Sequence, residues 1–395
     1  MTTRCRRIRH ATARALQQRD VMNDPLTALR ALSRTERRKV MILFSWFFLT
    51  IATLWLLKPI RQASLLAHLG AAELPYARFG SVIAVAIVVA IYSRVVDRLT
   101  RLQLARGAGV VFALCLVAFW IALRVGGEAL GAQRWFVWAV FILVDIYSTV
   151  MVTIFWTYTN DVMSRTEADK LYGPIGLGGV LGGIAGGATV DLLVGAIGQV
   201  NMLLICAALV LASTGIVQAS ESYLHPAPRP PMDPRAPRTS SVVERARLVR
   251  HNRYLLLIVG VVMAYEFAAA TTDFVVSVVV SREYPTQSDM ARMFGRIGWI
   301  VSAVALLSQL VIVPLVLPRK RIALLLSPVA MGLATLAFAA APIVPMATAI
   351  DPRMRTRVSA VKSRNVSLCA NGGLSFVLIG YGAFREAPLL YRVAI

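Results

Sequence analysis

The sequence predicts an all-α bundle that crosses a membrane many times, and three observations carry that prediction. Apolar residues make up 57% of the 395 positions, and they gather in runs of about 20, the length a helix needs to span a bilayer. Arg and Lys concentrate in alternate connections between the runs, the bias that keeps basic loops in the cytoplasm. Ionisable residues also stand inside some runs, where lipid penalises them unless they face a partner or a cavity.

Residues 1–23 carry Arg4, Arg6, Arg7, Arg9, Arg14 and Arg19 among few apolar positions. They are expected to form a basic tail, since no apolar core with a cleavage site follows closely. Asp24-Pro25 is a cap and first-turn proline. Beyond it Leu26, Leu29 and Leu32 oppose Arg30, Arg34, Arg37, Arg38 and Lys39, which predicts an amphipathic helix on the membrane surface. Nine spans follow, at 40–57, 77–96, 107–125, 134–158, 174–197, 201–219, 254–281, 297–317 and 321–345. A tenth, at 366–384, is interrupted by Asn371, Gly372, Gly373 and Gly380.

After the sixth span, residues 220–253 bring together Pro226, Pro228, Pro230, Pro231, Pro234 and Pro237 with many arginines, the composition of an extended polar linker. Four regions result: a basic tail at 1–39, a six-helix half at 40–219, the linker at 220–253 and a second half at 254–395. Six helices, a long cytoplasmic linker and further helices form the layout of major-facilitator transporters, whose halves rock about a central site. About ten helices are expected here, the last two of twelve missing. The N-terminus is expected in the cytoplasm. Arg353, Arg355, Arg357, Lys362 and Arg364 break the loop bias, because simple counting puts them outside.

The formal charge of +22 raises nucleic acid as a partner, but basic cytoplasmic loops account for it, and none is expected. Cys5, Cys115, Cys206 and Cys369 show no paired spacing, and His10, His68, His225 and His251 are isolated. Neither a metal site nor a cofactor is expected. No catalytic constellation is present, so the chain reads as no enzyme.

Four charged residues are singled out at membrane depth: Lys58 in helix 1, Asp145 in helix 4, Asp273 in helix 7 and Arg385 at the end of helix 10. Those helices open the three-helix repeats of the architecture and line its cavity. With Arg61, Lys58 forms a cationic pair suited to an anion: arginine grips phosphate oxygens bidentately, and lysine acts as a point charge. Asp145 and Asp273 would hold the cations when no anion is bound. Helix 5 carries Gly178, Gly182 and Gly186 at four-residue spacing, with Gly179, Gly183 and Gly187 beside them. Such a ridge lets another helix approach closely. A phosphate-binding loop is excluded there, because the terminal Gly-Lys-Ser/Thr is absent.

Lys58-Pro59-Ile60-Arg61, Ala71-Ala72-Glu73-Leu74-Pro75, the stretch FWTYTND at 155–161 and EADKLYGPIGLGGVLGG at 167–183 resemble the ATP/ADP translocase family, nucleotide transporters of plastids and bacteria. The resemblance implies that Lys58 matches the family's helix 1 lysine. Asp145 and Asp273, the latter upstream of Tyr284-Pro285, stand near its helix 4 and helix 7 glutamates, and Arg385-Glu386-Ala387 resembles its late basic-Glu motif. Both acids are shorter here, and the order Ala387-Pro388-Leu389-Leu390-Tyr391 departs from the family pattern. The expectation is a nucleotide exchanger of the bacterial inner membrane, monomeric, in contact with lipid and an anionic small molecule, working by alternating access. The alternatives are a permease for another organic phosphate or anion, and a non-transporting remnant or scaffold.

Overall fold

The computed structural model describes residues 33–96, 99–221, 223–224 and 253–312. Helix α1 (Arg34–Leu69) begins at a capping box: Ser33 accepts the Glu36 N–H, and the Glu36 carboxylate accepts the Ser33 N–H at 2.8 Å. It runs through Pro59 and stops at Gly70. Proline lacks an N–H, so Pro59 leaves the Trp55 carbonyl, four residues back, without its helical donor. A short turn, Ala71–Glu73, leads into α2 (Leu74–Val96). Helix α3 (Arg101–Gly131) starts at a second capping box, Thr100 with Gln103, and breaks at Gly127, whose φ of 60° and ψ of −158° suit glycine alone.

Helix α4 (Arg134–Val162) is followed by α5 (Arg165–Ile197), which a third capping box opens, Ser164 with Glu167. Gly198 separates α5 from α6 (Gln199–Ser220). Helix α7 (Arg253–Glu283) and helix α8 (Gln287–Leu307), capped by Thr286, complete the set, and a π-helical turn Ser308–Ile312 extends α8. No strand occurs among the described residues. Seven helices, α1–α6 and α8, are long and apolar enough to cross a membrane, and α7 at 31 residues has the length to do so. The chain is an all-α polytopic membrane bundle.

Several helices outrun their expected spans. Helix α1 extends from the predicted 40–57 to Arg34–Leu69. Its ends are polar but partnered, so the helix does not stop where the apolar run stops. The amphipathic segment expected at 26–39 is described only from Ser33, and Arg34 to Lys39 form the first turns of α1. The run at 321–345, the interrupted run at 366–384, the tail at 1–32 and most of the linker lie outside the described residues.

Helix α1 is the centre of the packing, touching α4, α5, α6 and α8. The FWTYTND stretch supplies much of its buried partner surface. Phe155 stacks on Phe47 at 4.4 Å, Trp46 meets Phe155 and Tyr158 edge-on at 5.1 and 5.3 Å, and Trp156 bridges Phe47 to Tyr172. Such aromatic pairs add specificity to a close-packed interior. Helix α5 also packs directly on α1. A Cβ added at Gly178 would come 2.7 Å from the Phe44 carbonyl oxygen, and Gly182 and Gly186 likewise face the Phe48 and Ala52 carbonyls. The adjacent row passes from α1 to α8: Gly179 faces the Phe47 ring, and Gly183 lies between Trp55 and Ser302. A Cβ at Gly187 would lie 2.6 Å from the Trp299 nitrogen and 2.8 Å from the Gly295 oxygen on α8.

Ion pairs mark the two ends of the bundle. At the end where α1 starts, Lys39 meets Glu167 at 3.0 Å, Arg101 meets Asp161 at 3.1 Å, and Arg106 lies 3.8 Å from Glu221. The far end joins Arg134 to Glu73 at 3.0 Å and Arg296 to Asp191 at 3.1 Å, with Trp299 donating to the same aspartate.

Candidate functional site

Positions 58, 61 and 62 fall at i, i+3 and i+4 and therefore share one face of α1. That face puts Lys58, Arg61 and Gln62 on a cavity of about 290 Å³, which Pro59, Arg78, Glu266, Ala269, Ala270, Asp273 and Phe294 also line. The Lys58 ammonium stands 5.2 Å from the centre of the Trp55 ring, a cation–π separation. Among the described residues, no carboxylate lies within ion-pair distance of Lys58.

Arg61 behaves differently from its neighbour. Its guanidinium pairs with Asp145 on α4, donates to the Phe141 carbonyl at 3.2 Å and lies over the Phe141 ring at 4.3 Å. The pair is largely sheltered, with 12% of the Arg61 side chain and 25% of Asp145 exposed. Ser148 and Thr149 donate to the Asp145 backbone carbonyl at 2.9 and 3.0 Å. This pair ties α1 to α4.

Asp273 pairs with a residue that the sequence reading passed over, Arg78 on α2. The same guanidinium donates to the Ala270 carbonyl at 3.5 Å. Gln62 reaches across as well, donating to Ser277 at 2.8 Å and to Asp273 at 3.5 Å, while Ser277 donates to the Asp273 carbonyl at 2.6 Å. Side-chain exposure is 33% for Arg78 and 47% for Asp273. This pair is wetter than the first, and it joins α2 to α7.

The structure therefore gathers Lys58, Arg61, Asp145 and Asp273 around one site, with Arg385 outside the described residues. Neither acid meets Lys58: Asp145 holds Arg61 and Asp273 holds Arg78. Charge at the cavity is also not confined to the first helices of each repeat, since Arg78 lies in α2. Helix α7 carries a second acid, Glu266, seven residues before Asp273 on the same face. Arg78 gave a weak signal because it sits at the edge of its apolar run, where an arginine reads as an interfacial anchor. Glu266 was visible as a second acid in its run. Gly178, Gly182 and Gly186 lie away from the cavity, against α1. No group of three or more His, Cys, Asp or Glu placed to hold a metal occurs among the described residues.

Chemically, the cavity offers three cations, one of them without an acid partner among the described residues. It suits binding of an anion and presents no nucleophile beside a base. The family described as TLC ATP/ADP transporter matches residues 122–354, more than half of the chain. The chain belongs to that family. It is a multi-pass membrane transporter for an anionic small molecule, not an enzyme, and the resemblance drawn from its motifs is borne out. The matched segment includes Asp145, FWTYTND, the glycine helix and Asp273. Lys58, Arg61 and Arg78 precede it, and Arg385 follows it. No individual curated protein matches the chain at a significant level.

Proposed function

We propose that the transporter exchanges nucleotides of the ATP/ADP type by alternating access, with the cavity at Lys58 as the substrate site. The observation that carries this reading is the convergence of Lys58, Arg61 and Arg78 on one cavity faced by α7. Lys58 receives the phosphate chain as a point charge, and Arg61 stays paired with Asp145 while adding positive potential. Arg385 is assigned to the same site by its motif. Asp145 and Asp273 neutralise arginines when the site is empty, so the arginines of an unloaded carrier are not bare in lipid. Net movement is then exchange, because Lys58 has no acid partner among the described residues of the empty carrier and reorientation stays slow until an anion satisfies it. We further assign the N-terminus and the linker to the cytoplasm of a bacterial inner membrane, from the Arg/Lys bias of the loops. The protein works as a monomer surrounded by lipid.

Uptake of labelled ATP by cells expressing the chain, with and without loaded internal ADP, tests the reading. Uptake that rises with internal ADP and vanishes in Lys58→Ala is the expected result. Uptake of another organic phosphate in place of ATP moves the substrate assignment, and no uptake of either contradicts transport through this cavity. Cysteine labelling at Ser222 and at Gly127 checks the orientation, the expected outcome being opposite sides.

A further inference from the structure

The pairing of Arg78 with Asp273 across the cavity has a role that neither the motifs nor the family description assigns. We propose that Arg78 is a substrate-binding residue and that Asp273 is its stand-in ligand, displaced when the phosphate chain enters. The proposal rests on the cavity being the nucleotide site. Three observations carry it. Arg78 and Asp273 line the same cavity as Lys58, so an anion beside the ammonium is also beside the guanidinium. Both side chains are reachable by solute, 33% and 47% exposed, against 12% and 25% for Arg61 and Asp145. Asp273 has a second donor in Gln62, whose Nε2 lies 3.5 Å from its Oδ2 and 2.8 Å from Ser277, so it keeps a hydrogen bond when Arg78 leaves it.

The chemistry of the exchange is that of two competing acceptors. Guanidinium presents a fixed fork of N–H donors that fits either a carboxylate or a phosphate, and a phosphate chain brings more oxygens and more charge. No covalent bond changes. Arg78 turns from Asp273 to the phosphoryl oxygens while Lys58 holds another part of the chain. Two cations on separate helices favour an anion with charge at more than one phosphate over inorganic phosphate. Because Arg78 belongs to α2 and Asp273 to α7, the displacement also cuts a tie between the two halves.

Titration of purified protein with ATP tests the displacement through four forms: unaltered, Arg78→Gln, Asp273→Asn and the double variant. Arg78→Gln is expected to weaken ATP binding by about tenfold or more, the scale of one charge-assisted contact. Asp273→Asn is expected to tighten it by roughly threefold to tenfold, since Arg78 no longer has a competitor. In the double variant that gain disappears. An equal gain in both backgrounds shows that Asp273 acts through its general field and overturns the proposal, as does full affinity in Arg78→Gln. Should Arg78→Gln fail to fold, Arg78→Lys replaces it, with a diminished gain from Asp273→Asn expected and an undiminished one overturning the idea. Lys58→Ala in the same titration separates the two levels. If it loses binding while the Arg78 variants keep theirs, only the displacement fails; if it binds ATP fully, the cavity itself is misassigned.

Discussion

Asp145 and Asp273 enter the bilayer as equivalent acids on corresponding helices, yet the structure gives them different partners. Asp145 is sheltered and holds Arg61 inside the first half, with two hydroxyls on its backbone carbonyl. Asp273 is wetter and holds Arg78 across to α2 from α7. Helix α5 does not share the contrast: Gly178, Gly182 and Gly186 press on α1, and Gly187 presses as closely on α8. Contacts within the half are dry and close, and their loss strands a charge or forces backbones apart. Contacts between the halves at the cavity are half-exposed, and water or a solute can replace either partner. The alternating access proposed above needs such a difference, with some contacts that stay and some that open.

The largest effect expected is at the ridge within the half. Gly182→Leu drives a whole side chain into backbone, the Phe48 carbonyl and the Ala52 nitrogen, so its cost exceeds the about 1–3 kcal/mol usual for a few added methylenes. Size-exclusion profiles should lose the folded peak, while surviving molecules keep their exchange rate. Gly176→Ala on the same helix meets nothing within 4 Å and should leave the peak intact. A folded Gly182→Leu with altered substrate choice would move that ridge from the packing to the pathway.

Breaking the sheltered pair comes next. Asp145→Asn leaves Arg61, whose Nε already lacks a hydrogen-bond partner, without its counter-charge, and one-sided loss of a buried pair costs about 3–5 kcal/mol. Thermal unfolding of the purified protein should show that loss, and Arg61→Gln/Asp145→Asn should recover part of it while staying inactive. Asp273→Asn sharpens the contrast. Its pair is half-exposed, so the stability loss should stay near or below about 1 kcal/mol, while exchange slows. Equal losses at the two acids would erase the distinction between them.

The smallest effect lies at the end of the bundle where α1 starts. Burial pushes the Glu167 carboxyl up, but the Ser164 N–H at 2.9 Å and Lys39 at 3.0 Å outweigh it and hold it below the ordinary carboxylate value. A carboxyl whose folded pKa is depressed stabilises fully above its unfolded value, near 4.5, and that contribution fades as the pH falls through the folded value. Glu167→Gln should therefore lower stability by about 1 kcal/mol or less at neutral pH and flatten the acid limb of the unfolding profile. An unchanged acid limb would show that Lys39 and Ser164 do not hold this carboxylate.

The all-α membrane class was legible because lipid demands long apolar runs. The helix ends were not. Residues 58–62 looked like the end of a span, and the structure continues the helix past them because Arg61 and Gln62 find partners on α4 and α7. Which cation meets which acid depends on how each helix is rotated about its axis, and spacing along one helix does not fix that. Lys58 was visible and its solitude was not. Arg78 was visible as an arginine at an edge, and only the approach of α7 gives it Asp273.

Distances between spin labels test the central claim most directly. Tyr76 on α2, Trp135 on α4 and Val279 on α7 are exposed at 65%, 63% and 43%, so each takes a cysteine label in a background without native cysteines. The account predicts that ATP lengthens the separation between labels at Tyr76→Cys and Val279→Cys while that between Tyr76→Cys and Trp135→Cys stays fixed. A shift in both, or in neither, would contradict a rigid half whose tie to α7 is released by substrate.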